Sequence, residues 1–250
     1  MAINVNTVYT TVLSILNKEQ RGYITPEEFN KLATQVQLDI FENYFEDLNQ
    51  QLRVPQADSE YANRQKNIDN CISIFKTIGN TTYNTAGGYF LPPSDLHRIG
   101  TVIYKDEKEL QRVERNDFLN INLSPLTKPT TQFPVYLYEQ VIQGTGGANT
   151  GETHIFVKPT TIVTAADITV SYIRKPADVV WGYQQLGGGT WTSGPYIYNS
   201  ATSTQFELDN TEQTEVILRI LAYAGVVIRD PQIVQAASQA VQSEEVNSKS

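Results

Sequence analysis

The stretch Asn17-Lys-Glu-Gln-Arg-Gly-Tyr-Ile-Thr-Pro-Glu-Glu28 decides how the chain begins to fold. It has the length of an EF-hand loop, with Gly22 at the sixth position and Glu28 at the last, where a calcium-binding carboxylate belongs. The fifth position, however, is Arg21, whose guanidinium has no acceptor atom and would bring a positive charge toward the cation. The front half of this loop therefore argues against bound calcium.

The same stretch fits a helix–turn–helix corner that needs no metal. Thr25 is a predicted helix N-cap, Pro26 takes the first helical position, and Glu28 at the third completes a capping box. Ile24 and Phe29 occupy the two positions of a hydrophobic staple. We interpret the stretch as such a corner and expect the chain to hold no metal and no other cofactor.

Helices are predicted on both sides of this corner. Apolar residues recur at helical spacing from Val5 to Leu16, and a broad apolar stripe runs from Pro26 to Leu52. The second helix would be about 40 Å long at 1.5 Å per residue, longer than a small compact core needs. A third helix is predicted from an N-cap at Ser59 to just before Gly79.

The middle of the chain has a different character. Residues 80–205 are rich in Thr, Tyr, Gly and Pro, and short runs alternate apolar with polar residues, as strands do. Strands and turns are predicted at Leu96–Tyr104, Lys105-Asp106, Val135–Gln140, His154–Val157 and Ile168–Ile173. Helical spacing returns at Glu212–Arg229 and again after Pro231.

This order of elements predicts an α+β fold. Residues 1–79 form a helical N-terminal part, residues 80–205 a β-rich insertion with long loops, and residues 206–250 C-terminal helices that complete the helical part. We expect the N-terminal and C-terminal helices to pack together, with the small antiparallel β region inserted between them.

The charge and composition exclude several classes of protein. The net charge is −8 and the sequence pI is near 4.8, which is unsuited to gripping nucleic-acid phosphates. The single cysteine, Cys71, cannot form an internal disulfide and is expected to be a small buried hydrophobe. Because no apolar run is long enough to cross a membrane and the first residues lack signal-peptide features, we expect a soluble chain made in a cytoplasm.

No constellation of catalytic residues is recognisable in the sequence. His97 and His154 both fall in predicted strands and belong to no metal-spaced cluster, so we expect packing roles for them. The glycine runs Gly144–Gly147 and Gly187–Gly189 lack the ending of a phosphate-binding loop and are interpreted as hairpin tips. We therefore expect a protein that is not an enzyme and has no catalytic, cofactor-binding or metal-binding residues.

The segment Val179–Tyr198 is predicted to be a long hairpin or loop with exposed aromatic side chains. Such side chains combine a large apolar area with a polar tip, which favours protein contact. They would equally serve a sugar-stacking groove, or cover the sheet of their own domain, and the sequence leaves these alternatives open. The aromatic residues concerned are Trp181, Tyr183, Trp191, Tyr196 and Tyr198.

Several runs carry a family resemblance. They are Val8 to Leu38, Ser124-Pro-Leu-Thr-Lys-Pro-Thr130, Phe133-Pro-Val-Tyr136, Tyr172-Ile-Arg-Lys-Pro-Ala177, and the ending from Thr204-Gln-Phe-Glu-Leu-Asp209 to Arg229-Asp-Pro-Gln232. With these runs the chain resembles structural proteins of tailed bacteriophages, especially those of crAss-like podoviruses. The resemblance covers nearly the whole chain, although no single run is a mechanistic motif.

The resemblance implies a non-enzymatic head-to-tail connector, located in the virion at the tail or portal vertex and assembled in the host cytoplasm. Its partners would be further copies of itself in a cyclic ring, the portal protein and other tail ring proteins. DNA would pass through the channel without being bound specifically, and no membrane is involved. The alternatives are a tail-associated module that binds carbohydrate or a host surface through the aromatic loop, or an EF-hand-like calcium-binding protein.

A ring subunit must bury two different patches, one against each neighbour. The two patches expected from the sequence are the exposed side of the helix from Pro26 to Leu52 and the segment from Trp181 to Tyr198. The glycine-rich stretches Gly144–Gly151 and Gly187–Gly189 are expected to become ordered on assembly.

Overall fold

The computed structural model describes residues 2–18, 23–51, 64–140, 153–185, 196–228, 235–236 and 238–243. The chain divides into two compact units. We call Met1–Ile74 together with Pro176–Ser250 the helical unit, and Phe75–Lys175 the β unit. In chain order the elements are α1 (Val5–Lys18), α2 (Pro26–Gln51), α3 (Arg64–Ser73), β1 (Lys76–Asn80), β2 (Thr82–Asn84), β3 (Tyr89–Leu91), β4 (Leu96–Tyr104), β5 (Lys108–Glu109), β6 (Gln111–Arg112), α4 (Arg115–Asn120), β7 (Val135–Glu139), β8 (His154–Lys158), β9 (Ile168–Arg174), β10 (Tyr183–Gln185), β11 (Tyr196–Tyr198) and α5 (Gln213–Ile228).

The chain has the α+β class predicted from its sequence. In the helical unit α5 packs against both α1 and α2, so helices from the two ends of the chain share one core. The inner faces of these helices carry fully buried side chains, which include Val8, Val12, Leu16, Phe29, Val36, Ile40, Val216 and Ile220. The α+β prediction, with helices on either side of an inserted β region, is therefore confirmed.

The corner before α2 is built by the predicted capping box. The Glu28 N–H donates to Thr25 Oγ1 at 3.3 Å, and Glu28 Oε2 accepts from the Thr25 N–H at 2.9 Å. These bonds satisfy main-chain donors that the first turn of a helix leaves without partners. Ile24 and Phe29, at the two staple positions, are both buried. Local sequence chemistry thus fixes where α2 begins.

Two side chains of α2 bind the main chain of the extended segment 177–181. Asn30 Oδ1 accepts from the Trp181 N–H at 2.7 Å, and Thr34 Oγ1 accepts from the Val179 N–H at 3.1 Å. Residues three or four apart lie on the same face of a helix, so the two acceptors follow one another along α2. The segment therefore obtains from helix side chains the hydrogen bonds that a strand obtains from a sheet.

Gln37 extends this row by one turn and joins two stretches of chain. Its Nε2 donates to the Ala177 carbonyl at 2.7 Å, and its Oε1 accepts from the Glu207 N–H at 2.8 Å. The Gln37 side chain is only 1% exposed, while Ala177, which accepts one of the two bonds, is exposed. Because Phe206 and Leu208 on either side of Glu207 are buried, this bond holds the chain leading into α5 against α2.

The β unit consists of two sheets that share one core. The first has the strand order β1-β9-β4-β5, and the second has the order β2-β3-β8-β7-β6, in which β6 and β7 run parallel. Apolar side chains from both sheets meet in a single buried cluster, as they do in β-sandwiches. Its members are Phe90, Val102, Tyr104, Leu110, Tyr136, Ile155, Val157, Ile162, Ile168, Val170 and Tyr172.

The boundaries of the parts differ from those predicted. The helical N-terminal part was expected to reach residue 79, but α3 ends at Ser73 and β1 begins at Lys76, because Thr77 and Ile78 pair with β9. The β-rich part was expected to span residues 80–205, whereas the β unit ends at Lys175. Residues 176–185 and 196–205 belong to the helical unit, where α2 side chains hold part of their main chain.

Candidate functional site

The loop considered for calcium uses its last carboxylate for helix capping. Glu28 Oε2 also accepts from the Thr25 hydroxyl at 2.8 Å. The backbone and side-chain hydrogen bonds from Thr25 lower the pKa of the Glu28 carboxyl below its ordinary value. Asn17 lies in α1, and residues 19–22 are outside the described part of the chain. Within the described residues no group of His, Cys, Asp and Glu side chains is arranged to hold a metal ion.

The two histidines lie on strands, as predicted. His154 on β8 is 6% exposed and stacks on the ring of Tyr89 at 4.0 Å between centroids. His97 lies on β4. Cys71 on α3 is half-buried, and its burial, together with the nearby carboxylates of Glu212 and Asp209, raises the pKa of the thiol. A thiol with a raised pKa is a poor nucleophile, because the thiolate is the reactive form.

Trp181 lies at the centre of an aromatic cluster rather than on an exposed loop. Its side chain is 4% exposed, its ring lies 4.2 Å from that of Tyr9, and its Nε1 donates to Asn6 Oδ1 at 3.1 Å. Tyr183 stacks on one side of it, at 6.0 Å between centroids. The expectation that Trp181 is exposed was therefore wrong, because α1 supplies both an aromatic partner and a hydrogen-bond acceptor for the indole. Trp191 lies outside the described residues.

The hairpin β10–β11 forms a groove with the start of α2. Tyr183 and Tyr196 pack edge to face across the hairpin, with centroids 4.9 Å apart, and both rings are partly exposed. We call the resulting depression, of about 510 Å³, the tyrosine groove; its walls are Thr25, Pro26, Glu27, Tyr183, Gln185 and Tyr196. Part of the predicted aromatic segment thus remains open for binding, next to a carboxylate at the first turn of α2.

A second surface, in the β unit, is the most exposed apolar feature among the described residues. We call residues 115–134 the apolar loop; it begins with α4 and continues as a series of turns up to β7. Soluble monomers seldom expose several large apolar side chains close together. Within the apolar loop, four large apolar side chains are exposed: Leu119 (58%), Leu123 (81%), Leu126 (97%) and Phe133 (77%).

The apolar loop has an internal structure of its own. The Thr127 N–H donates to the Ser124 carbonyl at 3.3 Å, which closes a turn with Pro125 and Leu126 at its two central positions. Proline is favoured at the first central position of such turns because its φ is fixed there. The Thr127 hydroxyl also donates to the Ile121 carbonyl at 3.1 Å. Leu126 is therefore held at the tip of a turn instead of being collapsed onto the β unit.

The base of the apolar loop is fixed to the sheet behind it. Lys158 Nζ on β8 donates to the Phe118 carbonyl at 2.7 Å and lies 4.0 Å from the centroid of the Phe118 ring. Burial lowers the pKa of this lysine. Arg115 at the start of α4 forms an ion pair with Glu139 on β7. These contacts hold the start of the apolar loop on β7 and β8, so the exposed leucines extend from a defined position on the sheet.

The charges of the two surfaces are opposite. Between residues 118 and 134 the apolar loop carries one charged residue, Lys128. In contrast, α2 carries a single basic residue, Lys31, against the acidic residues Glu27, Glu28, Asp39, Glu42, Glu46 and Asp47. The exposed side of α2, which was expected to be an interface patch, is therefore strongly acidic.

Sequence reasoning did not single out the apolar loop as a surface. Leu119, Leu123 and Leu126 have helical spacing, but Pro125 and the surrounding Ser, Thr, Asn and Pro residues are typical of an ordinary loop. The available signal was the presence of six large apolar residues in a stretch that otherwise predicts solvent exposure: Phe118, Leu119, Ile121, Leu123, Leu126 and Phe133.

Comparison with known proteins gives no further assignment, because no protein-family model and no curated protein sequence matches the chain. Among the described residues no helix is both long and apolar enough to cross a membrane.

Proposed function

We propose that this protein is a non-enzymatic structural subunit of a ring, a head-to-tail connector stacked beneath the portal or another tail ring of a tailed bacteriophage. The observation that carries the proposal is the apolar loop, a preformed projection whose leucines have no partner surface within the turn that presents them. The resemblance of several sequence runs to phage structural proteins supports the connector assignment. The partners are other copies of the chain, the portal protein and neighbouring tail rings.

The free energy that the apolar loop can contribute on burial suits a subunit that assembles cooperatively. Fully burying a Leu or Phe side chain contributes about 1.5–3 kcal/mol, so its four exposed side chains offer at most about 6–12 kcal/mol. Association of two proteins costs about 4–15 kcal/mol in lost motion. A pair of copies joined by this loop alone is therefore weakly bound, while a closed ring, in which every copy uses two interfaces, is stable.

The alternative functions have less support from the described residues. Carbohydrate stacking was expected to use Trp181, but that ring is buried against Tyr9. A calcium site was expected to use Glu28, whose Oε2 already accepts two hydrogen bonds from Thr25. The tyrosine groove keeps a smaller carbohydrate or host-surface role open, and binding of glycans to the isolated chain would be its test.

The experiment that tests the proposed function measures the mass of the assembled species. The purified chain would be concentrated alone and with the portal protein of the same particle, and examined by sedimentation velocity and electron microscopy. We expect closed rings of cyclic symmetry, with portal or at high concentration, in which the apolar loop is covered. A chain that stays a compact monomer under both conditions would refute the proposal.

A further inference from the structure

We propose that the tip of the apolar loop of one copy inserts into the tyrosine groove of the next copy. This inference rests on the proposed function and adds to it the two surfaces that meet. The inserting residues are Leu123 and the turn from Ser124 to Thr127, with Leu126 at its tip. The receiving surface is formed by Tyr183, Tyr196 and Pro26 on the neighbouring copy.

The chemistry of the loop tip suits the tyrosine rings of the groove. A turn that carries Pro125 and Leu126 presents a rigid apolar knob, so little conformational freedom is lost when it docks. Aromatic side chains around a groove are the usual receptors of proline-containing and aliphatic segments. The groove of about 510 Å³ is large enough for a leucine side chain and the adjoining turn.

The charges identify a second copy of this chain as the occupant. Lys128 lies two residues beyond Leu126 and is the only charged residue between residues 118 and 134. The groove is bounded by Glu27, which lies on the acidic helix α2. An apolar knob with one adjacent cation thus faces an aromatic groove with one adjacent anion, so the loop complements a surface of its own chain.

The contact would be heterologous, because loop and groove are different surfaces. In a heterologous contact each copy gives its loop to one neighbour and its groove to the other, which generates a ring when the rotation closes. A loop-to-loop contact would instead be isologous and would stop at a dimer. The proposal therefore accounts for growth into a ring with a single type of interface.

Substitutions in the loop and in the groove test the contact in the ring assay. Leu126→Asp should weaken ring formation at least about tenfold, since a buried leucine contributes roughly that factor or more. Leu126 is 97% exposed, so the free subunit should fold normally. Val163→Asp, also in the β unit at a 48% exposed position, is the matched control and should assemble as the wild type does.

Charge reversal tests the pairing of the two surfaces. Lys128→Glu and Glu27→Lys should each weaken assembly by about threefold or more, and the double variant should recover much of the loss. A mixture of the Leu126→Asp and Glu27→Lys variants should form shorter oligomers than Glu27→Lys alone, because a Leu126→Asp copy can accept a neighbour's loop but cannot insert its own. Circular dichroism melting of each variant confirms that the fold is retained.

Cross-linking provides a measurement that does not require a stable ring. In a Cys71→Ser background, one preparation carries Leu126→Cys and a second carries Gln185→Cys. A short bis-maleimide should cross-link the mixture into heterodimers more efficiently than it cross-links either preparation alone. Stronger cross-linking of the Leu126→Cys preparation by itself would indicate a loop-to-loop contact and overturn the proposal.

The outcomes separate this inference from the proposed function. Rings that form equally well with Leu126→Asp would refute the loop–groove contact and leave the ring proposal standing. If the substitution abolished binding to the portal but not self-association, the occupant would be the portal instead, and the inference would be wrong. If the wild-type chain did not assemble and the mixed cysteine variants gave no cross-link, both the ring proposal and the loop–groove contact would be refuted.

Discussion

Replacing Gln37 should destabilise the helical unit far more than the same replacement on the opposite side of α2. In Gln37→Leu the Glu207 N–H, between two buried residues, loses its acceptor, which costs about 1–3 kcal/mol for an unsatisfied donor. The Ala177 carbonyl lies on an exposed residue and can bond to water, so its loss costs only about 0.5–1.5 kcal/mol. After a partial offset from the buried leucine, we expect a net loss of about 1–3 kcal/mol.

The assay is urea unfolding followed by tryptophan fluorescence, because Trp181 is buried in the helical unit. Gln35→Leu is the matched control: Gln35 is exposed on the same helix and bonds only to Asp39 one turn away. Its free energy of unfolding should change by no more than about 0.5 kcal/mol. Equal losses for the two leucine variants would refute the role assigned to the Gln37 bonds.

Gln37→Glu adds a pH dependence with a definite sign. Burial and the nearby Glu207 carboxylate would raise the pKa of the introduced carboxyl in the folded state above its unfolded value. Below the unfolded pKa, about 4.3, the group is neutral in both states and the variant should be close to the wild type. As the pH rises above that value, the deficit in unfolding free energy should grow until the folded pKa is passed.

Further predictions concern the corner, metal, the loop and the hairpin. Thr25→Ala should cost about 1 kcal/mol in urea unfolding, and because the pKa of Glu28 is lowered, this cost should shrink as the pH falls through the folded pKa. Calorimetric titration should detect no calcium site tighter than about millimolar. Lys158→Met should release the base of the apolar loop and speed its amide hydrogen exchange. Gly182→Ala should cost about 2 kcal/mol or more, since a Cβ there would lie 2.2 Å from Thr202 Oγ1.

The expectations for calcium, Lys158→Met and Gly182→Ala each have an outcome that contradicts them. A micromolar calcium site would require the carboxylate of Glu28 to leave the capping box. Unchanged exchange in Lys158→Met would mean that the turns of the apolar loop hold themselves without the sheet behind them. A Gly182→Ala variant as stable as the wild type would mean that Thr202 can move away from the added methyl group at little cost.

The elements that could be predicted are those specified by adjacent residues. The corner follows from the capping chemistry of Thr25 and Glu28, which lie three residues apart. β4 begins at Leu96 and ends at Tyr104, the predicted limits, because alternation of side chains marks a strand locally. Lys105 and Asp106 form the predicted turn and both have positive φ values, of 51° and 54°.

The features that could not be predicted depend on partners distant in the sequence. Thr77 and Ile78 form a strand only because β9 is available to pair with them, which overrides the helical continuation expected there. Trp181 is buried by Asn6 and Tyr9, which lie more than 170 residues earlier in the chain. No local pattern records such contacts. The same reason explains the shifted end of the β unit, whose limit is set by side chains of α2.

The candidate binding surfaces were predicted from the sequence only in part. The aromatic segment was recognised as a candidate interface, and half of the tyrosine groove, Tyr183, Gln185 and Tyr196, comes from it. The other half, Thr25, Pro26 and Glu27, belongs to the helix–turn–helix corner. The sequence predicted that corner from its capping residues and not as part of a binding surface. Exposure of Leu126 depends on a turn that only the three-dimensional structure defines.

The interruption of the helical unit by the β unit has a consequence for synthesis on the ribosome. The Arg174 N–H donates to the Phe75 carbonyl at 2.9 Å, so the two ends of the β unit lie side by side, and everything it needs is continuous in the chain. The first helices, by contrast, emerge before their partners in residues 177–228 have been translated. The β unit can therefore complete its fold during translation, while α1 and α2 must wait with apolar faces uncovered until residues 177–228 have emerged.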